Sequence, residues 1–346
     1  MIQRSKIFST LIGLFLIASC TKESSQEFNA YSNNPLNDTV WAVTLKPTDA
    51  ANTMITDLMP PADTATIDLA ANETECKPGN SDSLKMFFSK GIFTSFENGV
   101  FTPVPSSGNA VIQVIRIRRN GDLIRLLRPS QTTNAALELG GGVFIRIMKD
   151  GKELGIKQGE TIRIRLMETG GMPKSDMRRF FGAETIPPPM YNTFDPGFSW
   201  QPDNDNSPVP LFFDLQSARN TTGYEIKTNR LRWISVQRLL NSTTAIDRSR
   251  VTVILPPNFT NKTTNVFALI GSQKTVVKLD FDYNSRSFRT DLLPTGAQIK
   301  LVSVSKIGKE FYLAESNINR LSSPTIIKLE PGKKGQDVLQ SFLDNL

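Results

Sequence analysis

Of the side chains that ordinarily carry chemistry, histidine is missing altogether from the 346 residues. That omission excludes Ser-His-Asp and Cys-His activation of a nucleophile, the imidazole general base, and His-based zinc or iron sites. Carboxylate, lysine or tyrosine chemistry remains, as does a hard-cation site built of oxygens. A two-carboxylate mechanism needs an acid and a base or nucleophile about 5–10 Å apart in a cleft, and no spacing of Asp and Glu singles out such a pair. No catalytic residues and no cofactor are assigned, and the chain reads as a non-enzyme. Oxygen ligands gather at Asp195, Asp203 and Asp205. The run lacks the glycine and terminal glutamate of a helix-loop-helix calcium site, so no metal is assigned there. Tyr191, Phe194, Phe198 and Trp200 occupy the same stretch. Loop aromatics stack on sugar faces or pin a loop to its neighbour, which makes Tyr191 and Trp200 the candidate glycan-binding residues.

The other reactive side chains are two cysteines. Cys20 follows Arg4 and Lys6, an apolar run from Ile7 to Leu16, and Ile17-Ala18-Ser19, the order of parts in a secretory signal. Ile17-Ala18-Ser19-Cys20 resembles the lipobox of bacterial lipoproteins, where the cysteine thiol takes a diacylglyceryl group and becomes the new N-terminus. The alternative is an ordinary cleaved signal with an incidental cysteine. The resemblance implies that residues 1–19 are removed, that Cys20 is lipidated, and that the protein is anchored in the cell envelope, at the outer membrane. At ~0.8 kcal/mol per buried CH₂ one acyl chain binds marginally, and the two or three of such a lipoprotein hold it in place. The apolar run is shorter than the ~20 residues of a spanning helix, so the body is expected to be tethered and not embedded. Cys76 then has no partner for a disulfide, and Glu73 and Glu75 beside it would raise its thiol pKa. It reads as a bystander.

The elements that position these groups follow from length and pattern. At ~100–200 residues each, the length implies about two domains, and 39% hydrophobic with 21% charged residues is enough for most of the chain to fold. Residues 20–37 are too polar to fold and form a flexible tether spanning a few nanometres at ~5–6 Å × √n. The formal charge of +7 loses two units with Arg4 and Lys6, leaving a mildly basic chain without the footprint of a nucleic-acid binder.

Between Asp38 and Ser83 scattered apolar residues and Pro47, Pro60, Pro61 and Pro78 predict irregular strands and loops. From Lys85 onward β-rich segments appear at Lys85 to Phe88, Val111 to Arg119, Gly142 to Met148 and Thr161 to Met167, the last alternating strictly. Asn98-Gly99, Asn120-Gly121 and Asp150-Gly151 read as hairpin turns of a β-sandwich. Gly140-Gly141-Gly142, without a phosphate-binding lysine or a following helix, reads as a bend or bulge. Arg116 with Arg118, and Arg163 with Arg165, project from one face of their strands. They read as a solvated sandwich face covering apolar edges, the alternative being a basic stripe for an anionic glycan.

Residues 183–222, rich in proline, read as an inter-domain linker. A second β-domain, 223–346, is expected to follow, with strands at Val251 to Leu255, Val266 to Ile270, Thr275 to Phe281, Ile299 to Ser305, Phe311 to Ala314 and Ile326 to Leu329. Ile234 to Leu240 suggests a helical turn. Asp337 to Leu346 places Val338, Leu339, Phe342 and Leu346 near one helical face. Ten residues do not hold a helix alone, so it should dock on the second domain. The expected fold is mainly β: two β-sandwich-like domains in tandem, 38–182 and 223–346, with a short C-terminal helix.

Leu137-Glu138-Leu139-Gly140-Gly141-Gly142-Val143-Phe144-Ile145, Lys149-Asp150-Gly151-Lys152-Glu153-Leu154 and Asp176-Met177-Arg178-Arg179-Phe180-Phe181-Gly182 together resemble a recurring Bacteroidota surface-lipoprotein family. Arg232-Trp233-Ile234-Ser235-Val236-Gln237-Arg238 resembles that family's Trp-Ile-Asn-x-Asp-Arg segment, with Ser235 and Gln237 in place of the usual polar pair. The resemblance spans residues 38–346 loosely and implies architecture and location, with no activity. Three tripeptides, Asp38-Thr39-Val40, Asp63-Thr64-Ala65 and Asp82-Ser83-Leu84, are similar to the Asp-Ser/Thr-apolar acceptor of O-glycans in that phylum, which makes Thr39, Thr64 and Ser83 candidate glycosylation sites. The expected function is that of a lipid-anchored, non-catalytic envelope module for adhesion, scaffolding or assembly. Its expected partners are the membrane and either glycans or other envelope proteins, and not nucleic acid. The alternative is a glycan-binding lipoprotein that uses its loop aromatics.

Overall fold

A computed structural model describes residues 35–97, 100–168, 171–184, 198–214, 221–240, 248–271 and 273–346. The fold is mainly β, with three α-helices among the described residues: α1 (Ala50–Leu58), α2 (Asn120–Arg125) and α3 (Gln336–Asp344). The strands form sheets of five, nine, five and four strands, and their burial patterns stack them as four layers.

The first layer carries Leu84, Met86 and Ile164, and the second carries Val143, Ile145 and Ile147. These side chains meet in one apolar core. The third layer, with Val266, Ala268 and Leu301, meets Val251, Val253 and Phe288 of the fourth in another. Each pair is a sandwich, as the turn spacing predicts. A third apolar seam joins the sandwiches, where Ile115, Ile117, Phe144 and Trp233 of the second layer face Phe267, Leu269, Val302 and Val304 of the third. All three helices lie in this seam, contributing Met54 and Ile55, Leu123 and Ile124, and Leu339 and Leu343.

This layering decides which strands alternate. Ile162–Met167 in the outermost layer alternates buried and half-buried positions. Thr264–Ile270 in the third layer is buried at every residue, and Leu137–Lys149 in the second is buried at its first nine. A strand covered on both faces has no polar face to show.

Several local expectations hold. Asp150 and Gly151 have φ of 49° and 78° and join Leu137–Lys149 to Lys152–Ile156, as a two-residue hairpin turn requires. Val236 pairs with Gly141 while Gln237 pairs with Leu139, so Gly140 is an extra residue in the ladder, which is the expected bulge. A Cβ there would lie 2.9 Å from the Tyr224 ring. The Asn98-Gly99 turn lies outside the described residues, although the strands flanking it pair with each other.

Other expectations are corrected. Asn120-Gly121 opens α2 instead of a hairpin: the Asp122 carboxylate accepts from the Arg118 and Arg119 backbone N–H groups at 2.9 and 3.0 Å, fixing the helix start. Ile234 to Leu240 is no helical turn but part of the strand Arg232–Leu239. Asp38 to Ser83 contains α1 as well as strands.

The domain boundaries also move. Of the expected linker 183–222, Ser199–Pro202 and Leu211–Asp214 pair into the second and first layers, and Thr221–Thr228 and Arg232–Leu239 follow them there. The first sandwich therefore runs to about residue 240. In the opposite sense, Trp41 stacks on Phe288 at 5.2 Å, and the backbone N–H of Ala51 donates to Lys262 O at 2.8 Å, so the segment before the first sandwich packs on the second. The C-terminal helix touches both sandwiches, not the second alone. Arg125 of α2 donates to Gln340 O at 2.8 Å and to Asp344 Oδ1 at 2.6 Å.

Candidate functional site

Cys20 and Tyr191 lie outside the described residues, as does Asp195. Trp200 is 1% exposed and sits in the seam between the sandwiches. Its ring meets Phe198 edge-on at 5.2 Å, so it has no free face for a sugar, and its assignment as a glycan-binding residue is corrected. The strand Ser199–Pro202 turns Trp200 inward because its pairing with Arg178–Ala183 places that residue opposite Gly182, beneath Phe198 and Trp233.

The three expected acceptor residues separate. Thr39 and Thr64 are exposed. Ser83 is 7% exposed, and its hydroxyl accepts from the Arg116 guanidinium at 2.7 Å and lies 2.8 Å from that of Ser81. Burial inside the sandwich mouth corrects Ser83 as a glycosylation site. The Asp203 carboxylate accepts from Arg179 Nε at 2.6 Å, and Asp205 lies 3.7 Å from the same guanidinium. These oxygens meet an arginine where calcium chemistry would gather them, and no cluster of three or more metal-ligating side chains occurs among the described residues.

Both arginine stripes are knitted into their sheets. Arg116 pairs with Asp63 at 2.6 Å. Arg165 pairs with Glu225 on the neighbouring strand at 2.7 Å, and Arg163 lies 4.0 Å over the Phe87 ring. Arg163 and Arg165 form the solvated, cross-linked face expected from the alternation, whereas Arg116 and Arg118 stand half-buried at the end of a second-layer strand, where Arg116 turns into the sandwich mouth, so for that pair the expected solvated face is corrected. Cys76 is buried in the first core, where burial pushes its thiol up to about 11. The rise comes from the apolar core, and not from the neighbouring glutamates.

Sequence reasoning misses the two densest polar constellations. At one end of the first sandwich, Glu138 is buried, with one carboxylate oxygen on Lys174 and the other 2.7 Å from Arg238. Arg238 also reaches Asp176 at 2.7 Å, and Lys274 of the second sandwich reaches Glu168 at 2.5 Å. Tyr224 stands beside them with its hydroxyl accepting from the Lys174 backbone N–H at 2.9 Å. Burial pushes that phenol up to about 12, with Glu168, Glu138 and Asp176 adding to the rise. Each oxygen of Glu138 is committed to a cation, which makes the cluster a clamp across the sheet end and the seam. Its residues are scattered over 138–274, so no local motif announces it.

The second constellation surrounds Arg128, which is 0% exposed in the seam. Its guanidinium lies 4.2 Å from the Phe198 ring centre and 5.2 Å from that of Trp233. Trp233 packs on Phe144 at 4.8 Å, and its indole N–H donates to Glu184 at 3.0 Å. Glu184 and Glu153 each accept from Arg232 at 2.7 Å. Burial works against the Arg232 charge, and these two bonds overcome it, so its pKa lies above the usual arginine value. Lys278 follows across the seam, pushed down to about 8 by burial.

Backbone bonds stitch the same region. Val276 N–H donates to the Ser130 hydroxyl at 2.8 Å, Lys278 N–H to Gln131 at 2.7 Å, and Leu139 N–H to Lys274 O at 2.8 Å. The chemistry-bearing residues of the interior thus hold two sandwiches in one orientation. No protein-family model matches the chain, and no curated protein matches it in sequence.

Proposed function

We propose that the chain is a lipid-anchored, non-catalytic module of the cell envelope that displays a rigid pair of sandwiches at the outer membrane. The observation that carries this reading is the run Ile17-Ala18-Ser19-Cys20 after a charged and apolar leader, with the loose resemblance to Bacteroidota surface lipoproteins in support. The body suits display. Many of its arginines and carboxylates are engaged with one another in cross-strand pairs and in the seam, and its third core fixes one sandwich against the other. No helix among the described residues is long and apolar enough to cross a membrane.

Metabolic labelling with a fatty-acid probe tests the anchor. The wild-type chain is expected to take label and partition with membranes, and Cys20→Ala to lose both. Equal labelling of the two would overturn the localisation, whatever the body binds.

A further inference from the structure

The outward face of the fourth layer holds an open groove of about 420 Å³ lined by Arg248, Arg250, Asp291, Ser323 and Pro324. Along the strand Arg248–Ile254, residues 249, 251 and 253 are buried and 248, 250, 252 and 254 face out, so Arg248 and Arg250 stand side by side on one face. Register with the strand Ser287–Pro294 slips between Ser249 and Val251, and this irregularity sets the exposed Asp291 beside them. Ser323 closes the groove, its hydroxyl oxygen accepting from the Arg250 backbone N–H at 3.3 Å.

These arginines differ from most of the others in the fold. Arg116, Arg165, Arg179 and Arg232 each meet a carboxylate, whereas neither guanidinium here has a carboxylate partner among the described residues. Arg248 Nε is shielded from solvent and finds no acceptor among the described residues. Burying a charged donor without an acceptor is costly. Two arginines and one aspartate leave a single positive charge, which matches a monoanion better than a phosphate dianion. The planar guanidinium fork fits the two oxygens of a carboxylate. Asp291 and the Ser323 hydroxyl add hydrogen-bonding groups for sugar hydroxyls, and Pro324 adds an apolar surface for a ring's C–H face.

We propose that this groove is a binding site for a carboxylated sugar, a uronate-type unit of an acidic glycan, with the carboxylate on Arg248 and Arg250 and the ring hydroxyls on Asp291 and Ser323. The site uses none of the loop aromatics and stands independently of the lipid anchor.

Calorimetry on the full chain in mild detergent tests it, with a short oligogalacturonate, its methyl ester, a sulfated neutral oligosaccharide and inorganic phosphate as probes. The acid is expected to bind saturably and the ester, equal in backbone but uncharged, at least about tenfold more weakly. Arg250→Ala, at an exposed position, is expected to weaken the acid about tenfold or more, the scale of one charge-assisted contact. Arg250→Lys should fall between, since it keeps the charge and loses the fork. Unchanged melting temperatures for both variants would assign the loss to the site. Equal binding of acid and ester, wild-type affinity in Arg250→Ala, or no saturable binding of the acid would overturn the proposal. Tighter binding of the sulfated probe or of phosphate would overturn the carboxylate assignment.

Discussion

Gly121→Ala tests how the C-terminal helix is seated, because two effects of opposite sign compete there. By helix propensity alone alanine is favoured over glycine by ~0.8–1.0 kcal/mol, and Gly121 lies inside α2. Its added Cβ, however, would sit 1.7 Å from the Leu343 carbonyl oxygen and 2.6 Å from the carbonyl carbon. Both partners are backbone, so no rotamer relieves the clash, and α3 must withdraw by about 1.3 Å to reach the 3.0 Å limit of real Cβ contacts. Overpacking of this kind costs ~1–3 kcal/mol. Withdrawal also loosens Leu339 and Leu343, both 0% exposed and worth ~1.5–3 kcal/mol each when fully buried. The Arg125 bonds to Gln340 and Asp344 stretch as well, the second counting for less because the Asp344 side chain is 56% exposed. The net expectation is a destabilisation of about 2–4 kcal/mol. At ~2.1 cal/mol/K per residue over roughly 300 folded residues, that lowers Tm by roughly 3–6 °C. Denaturant unfolding measures it, and trypsin cleavage at Lys333 and Lys334, just ahead of α3, should accelerate. In a chain lacking residues 336–346 the same substitution should become neutral or mildly stabilising. A Gly121→Ala chain as stable as wild type or more so, with α3 present, would refute the docking argument.

Three further outcomes follow from groups placed above. Cys76 and Tyr224 have folded pKa values raised above their unfolded ones, so the stability they contribute is intact below pH 9 and falls as pH rises, from 9 to about 11 for the thiol and from 10 to about 12 for the phenol, by ~3 kcal/mol each. Tyr224→Phe should flatten the upper part of a stability-against-pH curve, and an unchanged curve would contradict burial as the cause. Gly140→Ala brings a Cβ to 2.9 Å from the Tyr224 ring and should cost ~1–3 kcal/mol, partly recovered by Tyr224→Leu in a double-mutant cycle; strict additivity would show that the bulge and the ring are independent. If the acceptor tripeptides are used, glycopeptide mapping of the folded protein should find Thr39 or Thr64 modified and Ser83 bare, since only the first two are exposed; a glycan on Ser83 would contradict its placement.

The sheet content was legible in some strands that have one wet face, while others of that kind, Ser287–Pro294 and Thr221–Thr228, were not read as strands. Ile162-Arg163-Ile164-Arg165-Leu166 alternates because it lies in an outer layer. Arg232–Leu239 was illegible for the opposite reason: Trp233 enters the seam, Ile234 and Val236 enter the first core, and Ser235 and Gln237 are buried with a 2.6 Å bond between them. Adjacent apolar residues on both faces imitate a helical stripe. Asn120-Gly121 misled because the dipeptide suits a tight turn and a helix start alike, and Asp122 decides between them. Proline-rich composition marked 183–222 as a linker, but composition does not report that Ser199–Pro202 and Leu211–Asp214 return to the sheets. Trp200 looked available for the same reason. Nothing local in Leu126-Leu127-Arg128-Pro129 marks Arg128 as the buried guanidinium of the seam.

The packing of the segment before the first sandwich onto the second also constrains how the chain folds. Ala42 N–H donates to Asn261 Oδ1 at 3.0 Å across 219 positions, and the Asn265 side chain donates to Ala51 O at 2.6 Å across 214. At ~5–20 residues per second, roughly ten to forty seconds of synthesis separate each pair. Trp41 and α1 therefore wait with their apolar faces open until nearly the whole chain exists, and the loop-closure entropy of those contacts falls due late. Folding that starts from the N-terminus completes the first sandwich before the residues that precede it, and a chain cut short of the second sandwich leaves α1 without the third-layer wall of its seam.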